Sequence, residues 1–364
     1  FQPLPPPESN RGFAAIDGGS RVADYEAFSI YMVRAKSVCL KPRNEEYVSC
    51  GRLSAADVGL LLPPYYEEER TSIYREILEA WVAARVLERS RPEMILMDGS
   101  LTPIVARRRP HHGLLREDEE ATVSKLRELG IADSMEEIVA WLQEQHDRAP
   151  LIAPYLASRL ALDELLGSDD TGWLSFLEWL EKLVAYRRLF EEAFNRGSRI
   201  VFVSKSSRST ELFEKALPDV YYLRRISPFK TGYTRPKLSR GALELRRLRE
   251  VSGRFYPESM GLRDFYDKRL ASLAFYVRLE SGAPILRVEV VIDASLEGIQ
   301  RLEGSLESMV AAVVSKLRGM PVSNGYPLIL KMAHMEARID AEDSRRVEEA
   351  LGLTLERESR YVVG

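Results

Sequence analysis

Two short phrases, FAAIDGGS at 13 to 20 and MILMDGSL at 94 to 101, each end an apolar run on an aspartate followed by glycine. Asp-Gly is a common turn dipeptide, so each phrase alone signals only a turn. Taken together, Asp17 and Asp98 are two carboxylates carried to the ends of buried strands. A third acid fits with them. Glu79 interrupts the apolar stretch ILEAWVAARV, and its helical neighbours Val82, Ala83 and Val86 put it on a partly buried face. A buried carboxylate needs a proton, a cation or a metal; an ion pair with Arg75, one turn earlier, would serve equally. Three clustered carboxylates repel one another unless divalent cations sit between them, and oxygen ligands suit Mg²⁺ or Mn²⁺. Two such ions about 3.5–4 Å apart serve an in-line phosphoryl displacement. The chemistry implied is phosphodiester hydrolysis.

Further groups could join this centre. Lys205, in SKSSRS after a strand, could meet a phosphate oxygen, or could be a solvated strand-end lysine. Tyr326 and His334 bracket the run YPLILKMAH; His334 could be a ligand, a proton donor or a phosphate contact, and Tyr326 could simply belong to a turn. Two basic stretches stand apart. RRRPHH carries Arg107, Arg108 and Arg109, and RRISPFKTGYTRPK carries Arg224, Arg225, Phe229, Lys230, Tyr233, Arg235 and Lys237. Cations interleaved with aromatics suit a single-stranded nucleic-acid track, although charge in loops also serves solubility.

The elements that must position these groups follow from periodicity. After a proline-rich lead-in, strands are expected at 12–17, 25–38 and 46–53, with KPRNE as a hairpin loop. A helix over 67–89 and the strand MILM come next. The order predicts an antiparallel meander followed by a parallel return through a crossover helix. From 115 to 196 the pattern is helical throughout, and the stripe Trp173, Phe176, Trp179, Leu183 reads as helix–helix core. Strands are then expected at 199–207, 218–224, 272–279 and 285–292, and helices at 296–318 and 335–352. The fold class is α/β, a ribonuclease-H-like mixed sheet flanked by helices. Residues 1–101 and 198–364 form its discontinuous core and 102–197 a helical insertion. In such a sheet the first and fourth strands are neighbours, and Asp17, Glu79 and Asp98 converge.

Composition bounds the rest. With 364 residues, 45% hydrophobic and 29% charged, the chain is of ordinary globular type, and it has neither a membrane-length apolar run nor a secretory leader. A cytoplasmic location is expected. Cys39 and Cys50 are too few for a disulfide framework, though they fall on neighbouring predicted strands. A net charge of −3 leaves any polyanion contact to local patches. The first residue is Phe, which suggests numbering that starts inside a longer chain.

The pattern IDGGS, a helical Glu, MDGS and a late GYP with a following His resembles the archaeal NurA nucleases over most of the chain. The resemblance implies a ribonuclease-H-like fold and a homodimeric ring. It implies manganese-dependent 5′ to 3′ exonuclease and single-strand endonuclease activity, and work with the hexameric ATPase HerA in DNA-end resection. Residue by residue, it gives Asp17, Glu79 and Asp98 as metal-binding acids, Tyr326 and His334 as late members of the site, and Lys205 as a matching lysine. Two departures are the run KMA before His334, where a more polar neighbourhood is expected, and an N-terminal segment for dimer or ATPase contact that is not evident. Two other readings compete. An actin-like or sugar-kinase-like phosphotransferase would need a second glycine-rich phosphate loop, which is not evident; a non-catalytic DNA clamp or motor adaptor would use the basic loops alone.

Overall fold

The computed structural model describes residues 1–8, 12–25, 28–43, 46–61, 66–101, 115–160, 172–240, 260–295 and 306–352. The strands are β1 (Phe13–Asp24), β2 (Ser29–Arg43), β3 (Glu46–Leu61), β4 (Met94–Asp98), β5 (Arg199–Ser204), β6 (Gly232–Tyr233), β7 (Lys237–Arg240), β8 (Leu270–Arg278), β9 (Leu286–Asp293), β10 (Val322–Ser323) and β11 (Tyr326–Pro327). The helices are α1 (Glu67–Ser90), α2 (Leu115–Glu128), α3 (Met135–Gln145), α4 (Ala153–Arg159), α5 (Gly172–Arg196), α6 (Asp219–Ile226), α7 (Met260–Asp264), α8 (Leu306–Arg318), α9 (Leu328–Ala337) and α10 (Ala341–Ala350).

The main sheet runs β3-β2-β1-β4-β5-β9-β8-β6, with β7 also paired to β8. β1, β4 and β5 are parallel, and the remaining pairings are antiparallel. The expected mixed α/β sheet is therefore present, with β1 beside β4 and α1 as the crossover that returns the chain from β3 to β4. Strand alternation divides the core into two layers. Ala14 and Ile16 of β1 face one apolar cluster with α1 and α5, while Phe13 and Ala15 face another with α8 and α9.

The helices between β4 and β5 pack mainly through α5. Trp173, Phe176, Trp179 and Leu183 are buried, as expected for core packing, and they share the cluster that holds α1 to the sheet. Charge is buried here too. Arg70 of α1 donates from Nη2 to Glu178 Oε1 of α5 at 2.7 Å, and Lys182 lies 3.3 Å from Glu76.

Several expectations are corrected. β1 does not stop at Asp17 but stays paired with β2 through Gly18 and Gly19 to Asp24. β2 reaches Arg43 and β3 reaches Leu61, so KPRNE lies mostly in strand, and only 44–45 fall outside the described residues. The 218–224 strand is the helix α6. Tyr221, Tyr222 and Ile226 give it a strand-like composition, but Val220 and Leu223 are the inward pair at helical spacing, and the Asp219 carboxylate accepts the Leu212 and Phe213 N–H groups and the Tyr276 hydroxyl. The closing helix divides at Arg338–Asp340, where Asp340 begins α10 with a capping box. Residues 296–305 of the expected 296–318 helix lie outside the described residues. Cys39 and Cys50 are free thiols. Among the described residues, no helix is long and apolar enough to cross a membrane.

Candidate metal centre

Parallel pairing between β1 and β4 ends at Ile16 opposite Met97, so the next residue on each strand is an aspartate, Asp17 and Asp98. The strands part here and the carboxylates share the opening. Asp17 points to the face covered by α9, because alternation from Phe13 and Ala15 puts it there. Gly18 N–H holds one Asp17 oxygen at 2.8 Å, and His334 Nδ1 of α9 lies 2.7 Å from the other. Pro327 stands at the N-terminus of α9, and Ile329, Leu330, Ala333 and Ala337 bury one side of the helix. His334 sits at the margin of that buried side and remains largely exposed. Just before the helix, the buried Tyr326 donates its hydroxyl to Asp98 Oδ1 at 2.9 Å. The Lys205 ammonium lies 3.6 Å from the centre of the Tyr326 ring.

Asp17, Asp98 and His334 each present a ligand atom, and the three atoms lie within 4.8 Å of one another. Glu79 stands outside this group. Its Oε1 is 3.8 Å from Arg75 Nε, the pairing that sequence alone could not separate from metal binding. The reason is the sheet itself, since Asp17 faces α9 while Glu79 approaches from the α1 side. The two are nevertheless close, because Gly18 leaves a gap that the Glu79 carboxylate fills. A Cβ at Gly18 would clash with Glu79 Oε1 and would lie 2.6 Å from Arg75 Cγ. Gly19 does the same on the other face, where a Cβ would clash with the Ala337 carbonyl of α9. The glycines serve close approach of two helices rather than a turn.

The electrostatics are those of crowded acids. Burial and then the neighbouring Asp98 raise the Asp17 carboxyl above its ordinary range. Burial pushes Glu79 up to about 8, against the pull of Arg75 and with further push from Asp17. Tyr326 is raised by burial and by Asp98. Two hard oxygen donors, one imidazole and mutual repulsion among the acids together fit a divalent cation such as Mn²⁺. Sequence reasoning missed Arg34, which donates to the Ala337 carbonyl at 3.3 Å and to Asp343 at 2.9 Å and so ties down the end of α9. Its signal was a lone arginine between Val33 and Ala35 in an apolar strand.

The proposed strand track is divided. Arg224, Arg225, Phe229, Lys230 and Arg235 are exposed. Tyr233 is buried in β6, where it pairs with β8 and cannot offer a ring for stacking. Lys237 is bound to the Glu211 carbonyl at 3.2 Å. Arg107, Arg108 and Arg109 lie outside the described residues.

Fold and site together define an α/β protein with a carboxylate–histidine cluster, able to hold a cation, where two parallel strands part. The NurA domain model matches residues 11–339, and the chain belongs to the NurA family. It is 25% identical over 350 residues to the DNA double-strand break repair nuclease NurA of Saccharolobus solfataricus, covering 96% of this chain and 83% of that protein. A probable nuclease of the same name from Methanocaldococcus jannaschii is 24% identical, with 94% and 78% covered. Among solved structures, the NurA nuclease of Sulfolobus solfataricus superposes with a TM-score of 0.61 at 22% identity, covering 98% of this chain and 88% of that one. A NurA bound to dAMP and manganese gives 0.64 at 17% identity, covering 97% and 90%. These superpositions share the fold.

Proposed function

We propose that this chain is a metal-dependent DNA nuclease that hydrolyses phosphodiester bonds during the resection of double-strand breaks. The convergence of Asp17, Asp98 and His334 within one ligand sphere carries this reading. The names of the curated relatives, and the manganese and dAMP in a solved relative, support it. Asp17, Asp98 and His334 would hold one of two Mn²⁺ or Mg²⁺ ions, and Glu79, at the Gly18 gap, would be a further carboxylate ligand. Bound ions supply Lewis acidity toward the scissile phosphate and lower the pKa of an attacking water.

The chain's own residues do the rest. Tyr326 holds one Asp98 oxygen, which fixes the direction of that carboxylate. Lys205 rests on the Tyr326 ring, with its ammonium available to a phosphate oxygen. Arg224, Arg225, Phe229, Lys230 and Arg235 form an exposed track for the strand. Action is exonucleolytic from 5′ to 3′ and endonucleolytic on single strands, by a cytoplasmic homodimer working with a HerA-type hexameric ATPase. The test is direct. Asp17→Ala and Asp98→Ala should each abolish Mn²⁺-dependent cleavage of single-stranded DNA while circular dichroism stays that of the parent. Undiminished cleavage by either variant would overturn the proposal.

A further inference from the structure

The chain leaves β4 immediately after Asp98 through a glycine. Gly99 lies at φ +106°, a left-handed conformation that glycine adopts freely and other residues resist. The turn is braced from other strands. Gly99 N–H donates to the Val203 carbonyl of β5 at 3.1 Å. The Glu289 carboxylate of β9 takes the next two groups, accepting the Leu101 N–H at 3.0 Å and the Ser100 hydroxyl, both on Oε2. Arg287, two residues earlier on the same face of β9, completes the clamp. Its Nη1 donates to Ser100 Oγ at 2.8 Å and lies 2.5 Å from Glu289 Oε2, while its Nη2 reaches Glu211 at 3.1 Å.

Both charges are buried in the sheet, Glu289 at 1% and Arg287 at 4% exposure. Leu286, Val288, Val290 and Ile292 of the same strand face the opposite core. Stability alone does not account for the pair, because an apolar pair of similar volume commonly does as well or better in such a place. What an apolar pair cannot do is bind a backbone N–H and a hydroxyl of the turn simultaneously.

We infer that Glu289 and Arg287 are positioning residues that lock the Asp98-Gly99-Ser100 turn in the orientation a divalent cation requires. The inference rests on the nuclease reading, in which Asp98 is a ligand. Residues that orient a ligand commonly change metal affinity by about 10–100-fold when removed. Glu289→Ala in the full chain should therefore raise the Mn²⁺ dissociation constant, measured by titration calorimetry, by about that factor. Glu289→Gln keeps a carbonyl oxygen for the Leu101 N–H and should recover part of the loss. Ser100→Ala, which removes only the gripped hydroxyl, should show a smaller shift.

A merely structural role would lower the melting temperature without moving the Mn²⁺ affinity of the folded protein. Parental affinity in Glu289→Ala and Ser100→Ala overturns the inference. If Glu289→Ala does not fold, parental affinity in Glu289→Gln and Ser100→Ala does so. Asp98→Ala separates the two readings. Loss of Mn²⁺ binding there, with the Glu289 and Ser100 variants unaffected, removes this inference alone. Parental binding in Asp98→Ala overturns the nuclease reading and the inference with it.

Discussion

Gly18 and Gly19 put unequal demands on substitution, although they are neighbours on one strand. A methyl at Gly19 meets the backbone carbonyl of Ala337, which cannot move without displacing the end of α9 that Arg34 holds. A methyl at Gly18 meets the end of Glu79, which can swing aside, but also Arg75 Cγ and Glu79 Cγ, which lie close to the α1 backbone and cannot. Gly19→Ala and Gly18→Ala should each therefore cost about 1–3 kcal/mol in denaturant unfolding. Their functional effects should differ, since only Gly18→Ala displaces Glu79 and should lower cleavage beyond what its loss of stability explains. The sequence disclosed the acids but not the purpose of these glycines. An Asp-Gly-Gly string reads as a turn because close approach by distant helices leaves no local mark. His334 was legible only as one of four histidines near the end of an apolar run, and its pairing with Asp17 is a tertiary fact.

Among the elements, α5 carries more ionisable groups into the core than any apolar stripe suggests. Glu178 forms a buried ion pair with Arg70, and Glu178→Ala should cost about 3–5 kcal/mol because it leaves a buried guanidinium uncompensated. Glu181 accepts the Ile152 and Ala153 N–H groups, and His146 of the neighbouring turn lies 3.5 Å from it. Burial, with Arg188 adding to it, lowers His146 from 6.5 to about 3. Between those values the unfolded chain binds a proton that the folded chain refuses. Stability from neutral His146 is thus intact above pH 6.5 and is lost as pH falls toward 3, by about 1.4 kcal/mol per pH unit. Relative to His146→Gln, the native chain should lose melting temperature progressively on acidification below 6.5; a constant difference across that range would contradict it. Element types were mostly legible, since the long apolar stripes of α1 and α5 and the β8–β9 hairpin have unambiguous periods. Two segments differ: α6 is short, and its aromatic and apolar residues suit a strand until the tertiary bonds to Asp219 are seen, while α9 begins at Leu328, seven residues before the helix expected at 335–352.

At the scale of the whole molecule, the centre joins strands β1 and β4 to helix α9 on one face of the sheet. Metal that binds only the folded chain stabilises it by mass action, by about 2.7 kcal/mol at a hundred times the dissociation constant. Saturating Mn²⁺ should raise the melting temperature by several degrees in the parent protein and leave that of an Asp17→Ala, Asp98→Ala double variant unchanged. Asp17 and its partner His334 are separated by 317 positions in the chain. During synthesis the acids emerge early and wait, because the tyrosine and histidine that complete their surroundings are made last. On the proposed reading, a ribosome-bound or prematurely ended chain should carry the acids without the competence to cut, and cleavage of single-stranded DNA by a chain ended before α9 would contradict it.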